Sequence, residues 1–268
     1  MISVVIPTIG EEILHKVIKK LLNGRLVPSE ILLIFSEQDT KNTFSYTKYK
    51  NTKILFCPSK GQVKQRIFGF KNARNNYVIQ LDSDILVNSK TIELLYKKII
   101  KDNKSCVSAK IINNDLLKSK SIINKKYSGK ITKWGSSIWF NKLNYPLKTI
   151  ELEWLQGGCI IHYKENLIMS NYYPFKGKAF GEDVIHSCLL RKNKIKLVLD
   201  PNIKVIEIAK INNITKLNIN DFYIFIKNNF LSKIKIIKLI NGNYFLFFLW
   251  FLLFYFKRQF FFILGINK

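Results

Sequence analysis

Short apolar segments alternate with segments of helical periodicity along the first two thirds of the chain. The apolar segments, typical of strands buried on both faces, are 2–6, 30–35, 53–56 and 77–81. The segments in which apolar residues recur every three or four positions are 11–22, 62–72 and 91–101. This alternation predicts βαβ units, and therefore an α/β fold with a mostly parallel sheet flanked by helices.

The middle of the chain is less regular. We expect surface strands and loops over 113–144, and an apolar strand after the glycine pair Gly157-Gly158. Helical spacing predicts a helix over 180–192, and Asp200-Pro201 precedes a last short strand at 204–208.

The character of the sequence changes at about residue 211. A stripe of apolar residues at helical spacing is flanked there by lysines. The stripe is Phe222, Ile226, Phe230, Ile234 and Ile237, and the lysines are Lys227, Lys233, Lys235 and Lys238. A nearly continuous apolar run follows at 244–256. We therefore predict a globular domain of residues 1–210 and a helical tail of residues 211–268.

The apolar run of the tail admits three arrangements. Its 13 residues would make a helix about 20 Å long at about 1.5 Å per residue, which is short for a hydrocarbon core of about 30 Å. A membrane span and packing within a core or a dimer interface are the alternatives. We favour helices that lie in the membrane interface, with aromatic side chains buried and lysines directed toward anionic headgroups.

Charge narrows the choice of partner. The chain has 44 Lys and Arg residues against 18 Asp and Glu residues, a formal net charge of +26, which predicts nucleic acid, an anionic membrane or a phosphorylated substrate as partner. A nucleic-acid-binding protein would interleave aromatic with basic residues, whereas the densest aromatic run here carries few charges. We therefore expect no nucleic acid.

Cysteine and histidine residues show no metal-site pattern. The four cysteines are scattered without a CxxC pair, and the three histidines are not clustered, so we expect reduced cytosolic thiols and no zinc site. The first residues, MISVVIPTIG, lack the basic and long apolar regions of a signal peptide.

Polar residues follow three of the predicted strands, as Pro7-Thr8, Ser36-Glu37 and Asp82-Ser83-Asp84. Ligands bind at the carboxyl ends of parallel strands, so we expect these residues at one site. In an extended segment Asp82 and Asp84 would point to the same side and could hold Mg²⁺ or Mn²⁺. The alternative is a turn in which Asp82 caps the following residues and Asp84 faces water.

A second acidic pair, Glu182-Asp183, follows Gly181 at the start of a predicted helix. Acidic residues are common in the first turn of any helix. A carboxylate at this point could instead act as the general base for a hydroxyl nucleophile.

Five stretches, taken in order, resemble glycosyltransferase family 2 enzymes of the GT-A fold over roughly residues 1–208. They are SVVIPTIG, EILLIFSEQD, GQVKQRIFGFKNARNNYVIQLDSDI, EWLQGGCIIHYKE and GEDVIHSCLLRK. The resemblance implies an inverting transferase that uses a nucleotide-diphosphate sugar and a divalent metal, Mn²⁺ or Mg²⁺.

The resemblance also implies roles for individual residues. The nucleotide would contact Pro7, Thr8, Ser36, Glu37, Lys60, Arg66, Asp82 and Asp84, with the two basic residues facing the diphosphate. Asp84 and Asp82 would bind the metal, with Glu207 as a further candidate oxygen ligand. Asp183 would be the catalytic base. The donor and acceptor pocket would include Trp154, Gly157, Gly158 and Glu182.

Three positions depart from the family pattern. Ser36-Glu37 stands near the family's usual aspartate, Glu207 near its late histidine, and His162-Tyr163-Lys164 where Arg-Arg is common. The combined prediction is a glycosyltransferase, peripheral on the cytoplasmic face of the cell membrane. It would act on a lipid-linked acceptor in the synthesis of a cell-surface polysaccharide or glycolipid. The alternatives are a basic nucleic-acid- or membrane-binding protein and a catalytically inactive glycosyltransferase-like scaffold.

Overall fold

The structure is a computed structural model that describes residues 1–39, 43–112, 127–140, 145–175, 179–208 and 219–263. The strands are β1 (Ile2–Pro7), β2 (Glu30–Ser36), β3 (Thr52–Cys57), β4 (Tyr77–Leu81), β5 (Ile85–Val87), β6 (Ser105–Ile112), β7 (Ile150–Leu152), β8 (Cys159–Tyr163) and β9 (Lys196–Glu207). The helices are α1 (Ile13–Leu22), α2 (Gln62–Asn72), α3 (Thr91–Ile99), α4 (Glu182–Lys192), α5 (Ile219–Ile240) and α6 (Tyr244–Ile263).

The sheet is mixed rather than mostly parallel. Its strand order is β3-β2-β1-β4-β8-β6-β9-β5, with β7 also paired to β9. Strands β1 to β4 pair in parallel, as the alternating pattern predicts. Strand β8 then inserts antiparallel between β4 and β6, and β5 and β7 pair antiparallel with β9. The prediction of parallel pairing therefore holds for the first four strands and for β6 with β9.

The sequence pattern missed strands β5, β6 and β7 and underestimated β9. Strand β5 has only three residues, so it has no visible period. The last strand begins at Lys196 and runs through Asp200-Pro201, which the pattern placed before the strand. A register shift in the β6 pairing, after Ala109, accommodates this segment. Much of the predicted irregular region, and the predicted boundary at 210/211, lie outside the described residues; within 127–140 the structure has an isolated bridge between Ile131 and Ser137.

Helix α2 joins the ends of β1 and β2. The buried Gln65 amide donates hydrogen bonds to the carbonyl oxygens of Thr8 (3.0 Å) and Ile34 (2.7 Å). Because both acceptors lie where the parallel strands end, this one side chain fixes the two polar strand ends relative to α2. All four cysteines are buried and free.

Helix α5 packs against α4 and is part of the core. Ile236 and Ile237 are fully shielded, and Ile236 belongs to the apolar cluster that includes Val184 and Ile185 of α4. Phe230 contacts Phe247 and Phe251 of α6, with ring centroids 5.4 and 4.9 Å apart. Two residues of the predicted apolar stripe, Phe230 and Ile237, therefore pack against protein.

Two of the flanking lysines also face protein, against the prediction that they contact headgroups. Lys233 Nζ donates to the Gly135 carbonyl oxygen (2.8 Å) and lies 5.0 Å from the centre of the Trp250 ring. Burial lowers its pKa to about 8. Lys235 Nζ donates to the Tyr172 carbonyl oxygen (2.8 Å).

Helix α6 exposes one apolar face. The large apolar residues exposed on it are Tyr244, Phe245, Leu246, Phe248, Leu249, Leu252, Leu253 and Phe256. Phe245 and Leu253 are 72% and 71% exposed, although burial of such side chains is favourable. In the part of the chain that the structure describes, none of the helices has the combination of length and apolar character needed to cross a membrane.

Candidate active site

The Asp82-Ser83-Asp84 segment is a turn, and the extended conformation assumed from the sequence is wrong. The Ile85 amide donates to the Asp82 carbonyl oxygen (3.2 Å), which closes the turn. The Asp82 amide donates to the Gly158 carbonyl oxygen and the Ile208 amide to the Asp84 carbonyl oxygen, at 2.9 and 3.0 Å. Gly158, which directly precedes β8, and Ile208, which directly follows β9, thus hold the turn from two sides, and both of its aspartates are half-buried.

Glu207 lies beside this turn. It pairs with Ile85 across the antiparallel β5–β9 ladder, directly after Asp84. Among the described residues, no group of three or more His, Cys, Asp or Glu side chains is arranged to hold a metal ion. Mg²⁺ commonly takes only one or two protein carboxylates and completes its shell with water and substrate phosphates. The oxygen donors of Asp82 and Asp84 fit that kind of site, with Glu207 on the next strand.

Arg66 of α2 is the charged centre of the site. Its side chain is 1% exposed. Nη1 donates to both carboxylate oxygens of Glu182 (2.8 and 3.0 Å), and Nη2 donates to Asp82 Oδ1 (3.1 Å). Tyr172 Oη donates to Glu182 Oε2 (3.2 Å). One buried cation thus neutralises carboxylates from two separate elements, which makes their burial tolerable.

The roles of Arg66 and Glu182 in these contacts differ from the roles that the sequence analysis predicted. Arg66 directs its donors to carboxylates, so its predicted contact with a diphosphate stays a prediction. Glu182 is 6% exposed and turned into the protein, where it holds Arg66.

Asp183, the neighbour of Glu182, lies against the glycine pair. A Cβ atom on Gly157 would overlap Asp183 Oδ1, and Gln80 Nε2 donates to the Gly157 carbonyl oxygen (2.6 Å). Glycine is therefore required here for steric reasons, since any side chain would displace the Asp183 carboxylate. Gly158 is less tightly confined, because a Cβ there would lie 2.9 Å from Ile111 Cδ1, the end of a flexible side chain.

The pKa of Asp183 is raised well above its usual range. Burial is the largest cause, and the negative charge of Glu182 adds to it, while the cation of Arg66 offsets part of the effect. A carboxylate with a raised pKa accepts a proton more readily, which suits a general base.

Glu11, a residue that the sequence analysis missed, joins two parts of the rim of the site, which is the edge of the sheet where β1, β2 and β4 end. Its Oε2 accepts hydrogen bonds from Thr8 Oγ1 (3.0 Å) and Ser83 Oγ (3.2 Å). The end of β1 is thereby joined to the Asp82–Asp84 turn. The helical pattern at 11–22 assigned Glu11 to a helix, but α1 begins two residues later at Ile13, which leaves Glu11 in the rim.

The rim next to β2 holds further polar residues. Pro7 is the last residue of β1, Ser36 Oγ accepts from the Gln38 amide (3.1 Å), and Glu37 is exposed. Lys60 Nζ pairs with Asp39 Oδ1 (2.8 Å). Within the described residues Asp39 Oδ2 is buried without a hydrogen-bond partner.

Asp39 was another omission of the sequence analysis. The sequence analysis compared only Ser36-Glu37 with the family's aspartate. It did not consider Asp39, which lies further along the same loop. The unpartnered buried oxygen makes Asp39 a candidate for a polar contact to the nucleotide base.

Trp154 lies below the surface of the predicted pocket. It is 8% exposed, its Nε1 donates to the Ile138 carbonyl oxygen (3.3 Å), and its ring meets that of Trp139 at 4.8 Å. The ring therefore supports the 127–140 segment, and its contact with donor or acceptor stays a prediction.

Comparison with known proteins agrees with this architecture. The model of the Glycosyl transferase family 2 matches residues 3–164, which is more than half of the chain. No curated relative matches significantly. The structure is similar to that of GalNAc-T7 with UDP, GalNAc and Mn²⁺, with a TM-score of 0.61 and 18% identity over 79% of this chain and 44% of that one.

It is also similar to S. aureus TarS 1–349 in complex with UDP-GlcNAc, with a TM-score of 0.52 and 14% identity over 85% of this chain and 65% of that one. The chain thus spans less than two thirds of the length of these structures. At such identities the similarity concerns the fold alone, and it confirms the α/β GT-A fold predicted from the sequence. The match to the family model, which covers the β1–β4 half of the sheet, the acidic turn and the glycine pair, shows that this chain belongs to glycosyl transferase family 2.

Proposed function

We propose that the protein transfers a sugar from a nucleotide-diphosphate sugar to an acceptor hydroxyl with inversion, and that Asp183 is the base. The observation that carries this proposal is the close approach of the Asp183 carboxylate to Gly157, next to the residue whose carbonyl oxygen holds Asp82. A proton acceptor and the proposed donor-binding turn are therefore neighbours on one rim.

Each of the proposed site residues has its own role in the transfer of the sugar. Asp183 accepts the proton of the acceptor hydroxyl as the oxygen attacks the anomeric carbon, and the diphosphate leaves from the opposite face in a single displacement. Asp82 and Asp84 would hold a divalent metal, which supplies electrostatic stabilisation for the charge on the departing diphosphate. Lys60, with a side chain 55% exposed, is the cation on the rim that is free to turn from Asp39 toward a phosphate.

The solved relatives support a uridine-diphosphate sugar as donor. The GalNAc-T7 structure contains UDP, GalNAc and Mn²⁺, and the TarS structure contains UDP-GlcNAc. We infer the same donor class and Mn²⁺ or Mg²⁺ for this protein.

We further propose that helix α6 rests on the cytoplasmic face of the cell membrane, and that the acceptor is lipid-linked. The exposed apolar face of α6 supports this, because such a face on a strongly basic protein fits an anionic membrane interface. The protein would then act in the synthesis of a cell-surface polysaccharide or glycolipid.

The first prediction separates the two adjacent carboxylates. Asp183→Asn keeps the side-chain volume but removes the proton acceptor, so the rate of transfer should fall by about 10² to 10⁴ while donor affinity is kept. Glu182→Gln instead weakens the buried ion pair with Arg66, and should lower the free energy of unfolding by about 3 kcal/mol. Single-turnover transfer at saturating donor, donor affinity and urea unfolding should be measured for both. A near wild-type rate for Asp183→Asn would exclude Asp183 as the base.

The second prediction tests the raised pKa of Asp183 without any substrate. The folded protein binds this proton more tightly than the unfolded chain, so stability falls as the pH rises from about 4 toward the folded pKa. Asp183→Asn removes this loss, and its melting temperature should exceed that of wild type increasingly over that range. The control is Asp102→Asn, because a hydrogen bond from Lys196 lowers the pKa of Asp102; this variant should change slightly in the opposite direction. If the melting temperatures of wild type and Asp183→Asn change in parallel with pH, the raised pKa does not belong to Asp183.

The third prediction concerns the metal. Asp84→Ala should abolish metal-dependent donor binding while the fold survives, because the half-buried side chain lies at the rim. Calorimetric titration of UDP-GlcNAc with and without Mn²⁺ measures this, with Asp102→Ala as a matched loss of one carboxylate elsewhere. Unchanged metal-dependent affinity in Asp84→Ala would remove Asp84 from the metal site.

The fourth prediction concerns the membrane. Because α5 is part of the core, point substitutions on α6 are a cleaner test than removal of the tail. Phe245→Glu with Leu253→Glu places two charges on the exposed face and should reduce flotation with anionic vesicles by more than about tenfold. The matched control is Ile100→Glu with Leu147→Glu, two apolar residues that are 46% and 89% exposed away from α6. Equal flotation of both variants would show that α6 is not the contact.

A further inference from the structure

A polar cavity of about 670 Å³ lies at the turn between α5 and α6. Its volume is within the range of ligand sites, about 300 to 1,000 Å³. The polar residues that line it are Lys133, Glu153, Arg191, Asn241, Asn243 and Tyr244.

The cavity is separate from the acidic site. Arg191 is in the last turn of α4, whereas Asp183 is in the first turn. The rise between these two positions is about 12 Å at about 1.5 Å per residue. The donor and the proton acceptor are thus at one end of α4 and the cavity is at the other.

Two cations that line the cavity favour an anionic ligand. Lys133 and Arg191 are exposed, and in the described part of the chain neither has a carboxylate at ion-pairing distance. Glu153 also lines the cavity, and its Oε2 accepts a hydrogen bond from the Ile131 amide (2.7 Å); its single negative charge is outnumbered by the two cations. A planar guanidinium beside an ammonium is a combination that binds phosphate, the first through a paired fork and the second as a point charge.

The walls of the cavity are held by the main chain. The Asn243 amide donates to the Lys133 carbonyl oxygen (2.7 Å), and the Gly242 amide donates to the Ile237 carbonyl oxygen (2.9 Å). Asn243 Oδ1 accepts from the Leu246 amide (3.0 Å) and so begins α6. The loop that carries Lys133 is therefore fastened to the turn between α5 and α6.

The position of the cavity indicates its ligand. Tyr244 lines it and is also the first residue of the exposed apolar face of α6, and Phe245 next to it is 72% exposed. Tyrosine is a residue that favours the boundary between headgroups and acyl chains. A helix lying in the interface keeps its apolar face just below the headgroups, which puts a cavity at its first residue at the level of lipid phosphates.

We propose that this cavity binds the phosphate-bearing headgroup of an anionic phospholipid through Lys133 and Arg191. The inference rests on the proposed membrane association of α6. In this proposal the cavity recognises the lipid headgroup. The exposed apolar face of α6 inserts into the membrane but does not select a headgroup.

The test compares two double variants with the same loss of charge. Lys133→Ala with Arg191→Ala removes both cavity cations. Lys192→Ala with Lys238→Ala removes two exposed cations from the last turns of α4 and α5, which border the cavity without lining it. Partition to vesicles of phosphatidylcholine containing phosphatidylglycerol, and binding of sn-glycerol 3-phosphate, are measured for both and for the full wild-type chain. Melting temperatures check folding.

The cavity variant should lose about thirtyfold in vesicle affinity, the effect of two cations near an anionic surface, and should lose glycerol phosphate binding. The control should lose no more than about fivefold and keep glycerol phosphate binding. Equal losses in the two variants would overturn the cavity site while leaving membrane association of α6 intact. Glycerol phosphate binding with unaltered vesicle affinity would assign the cavity to a free phosphate and overturn the headgroup. No binding of wild type to these vesicles would overturn both proposals.

Discussion

The buried guanidinium of Arg66 is the interaction on which the candidate site depends. Asp82, Glu182 and Asp183 come from a strand end and from a distant helix, and three carboxylates in one place repel one another. Arg66 satisfies two of them, with three hydrogen bonds between 2.8 and 3.1 Å. For the third, Asp183, burial is the main cause of a raised pKa, the negative charge of Glu182 adds to it, and the cation of Arg66 offsets only part of the rise.

Much of the fold could be predicted from the sequence, because its strands and helices show local periodic patterns of apolar residues. The strands and helices of the β1–β4 half have a clear period, and α2 begins and ends where the pattern predicts, at Gln62 and Asn72. Strand β8 inserts antiparallel, and β5 is very short, so neither pairing is encoded in a local period. The turn at Asp82–Asp84 was misjudged for the same reason, since it is held by hydrogen bonds with Gly158 and Ile208, which are distant in the sequence.

For the candidate site, the sequence predicted which residues belong to it better than it predicted which of them contact each other. The Asp183 carboxylate lies against Gly157, and the Asp82 amide donates to the Gly158 carbonyl oxygen, so residues of three separate motifs are neighbours. That Arg66 would pair with Glu182 could not be inferred, because the two are 116 positions apart and either could have faced a ligand. Glu11 was missed because the helical pattern included it in a helix, and Asp39 was missed because it lies in the loop after β2, where no local pattern indicates a contact.

The hydrogen bond from Lys235 to the Tyr172 carbonyl oxygen links helix α5 to this network, since the Tyr172 hydroxyl donates to Glu182. Ile236 beside it covers the apolar side of α4. Helix α5 is therefore the back wall of the acidic site as well as the base on which α6 rests. A variant chain without α5 would need another hydrogen-bond donor for the Tyr172 carbonyl oxygen and another cover for the apolar side of α4, so the acidic site and the C-terminal helices depend on each other for their structure.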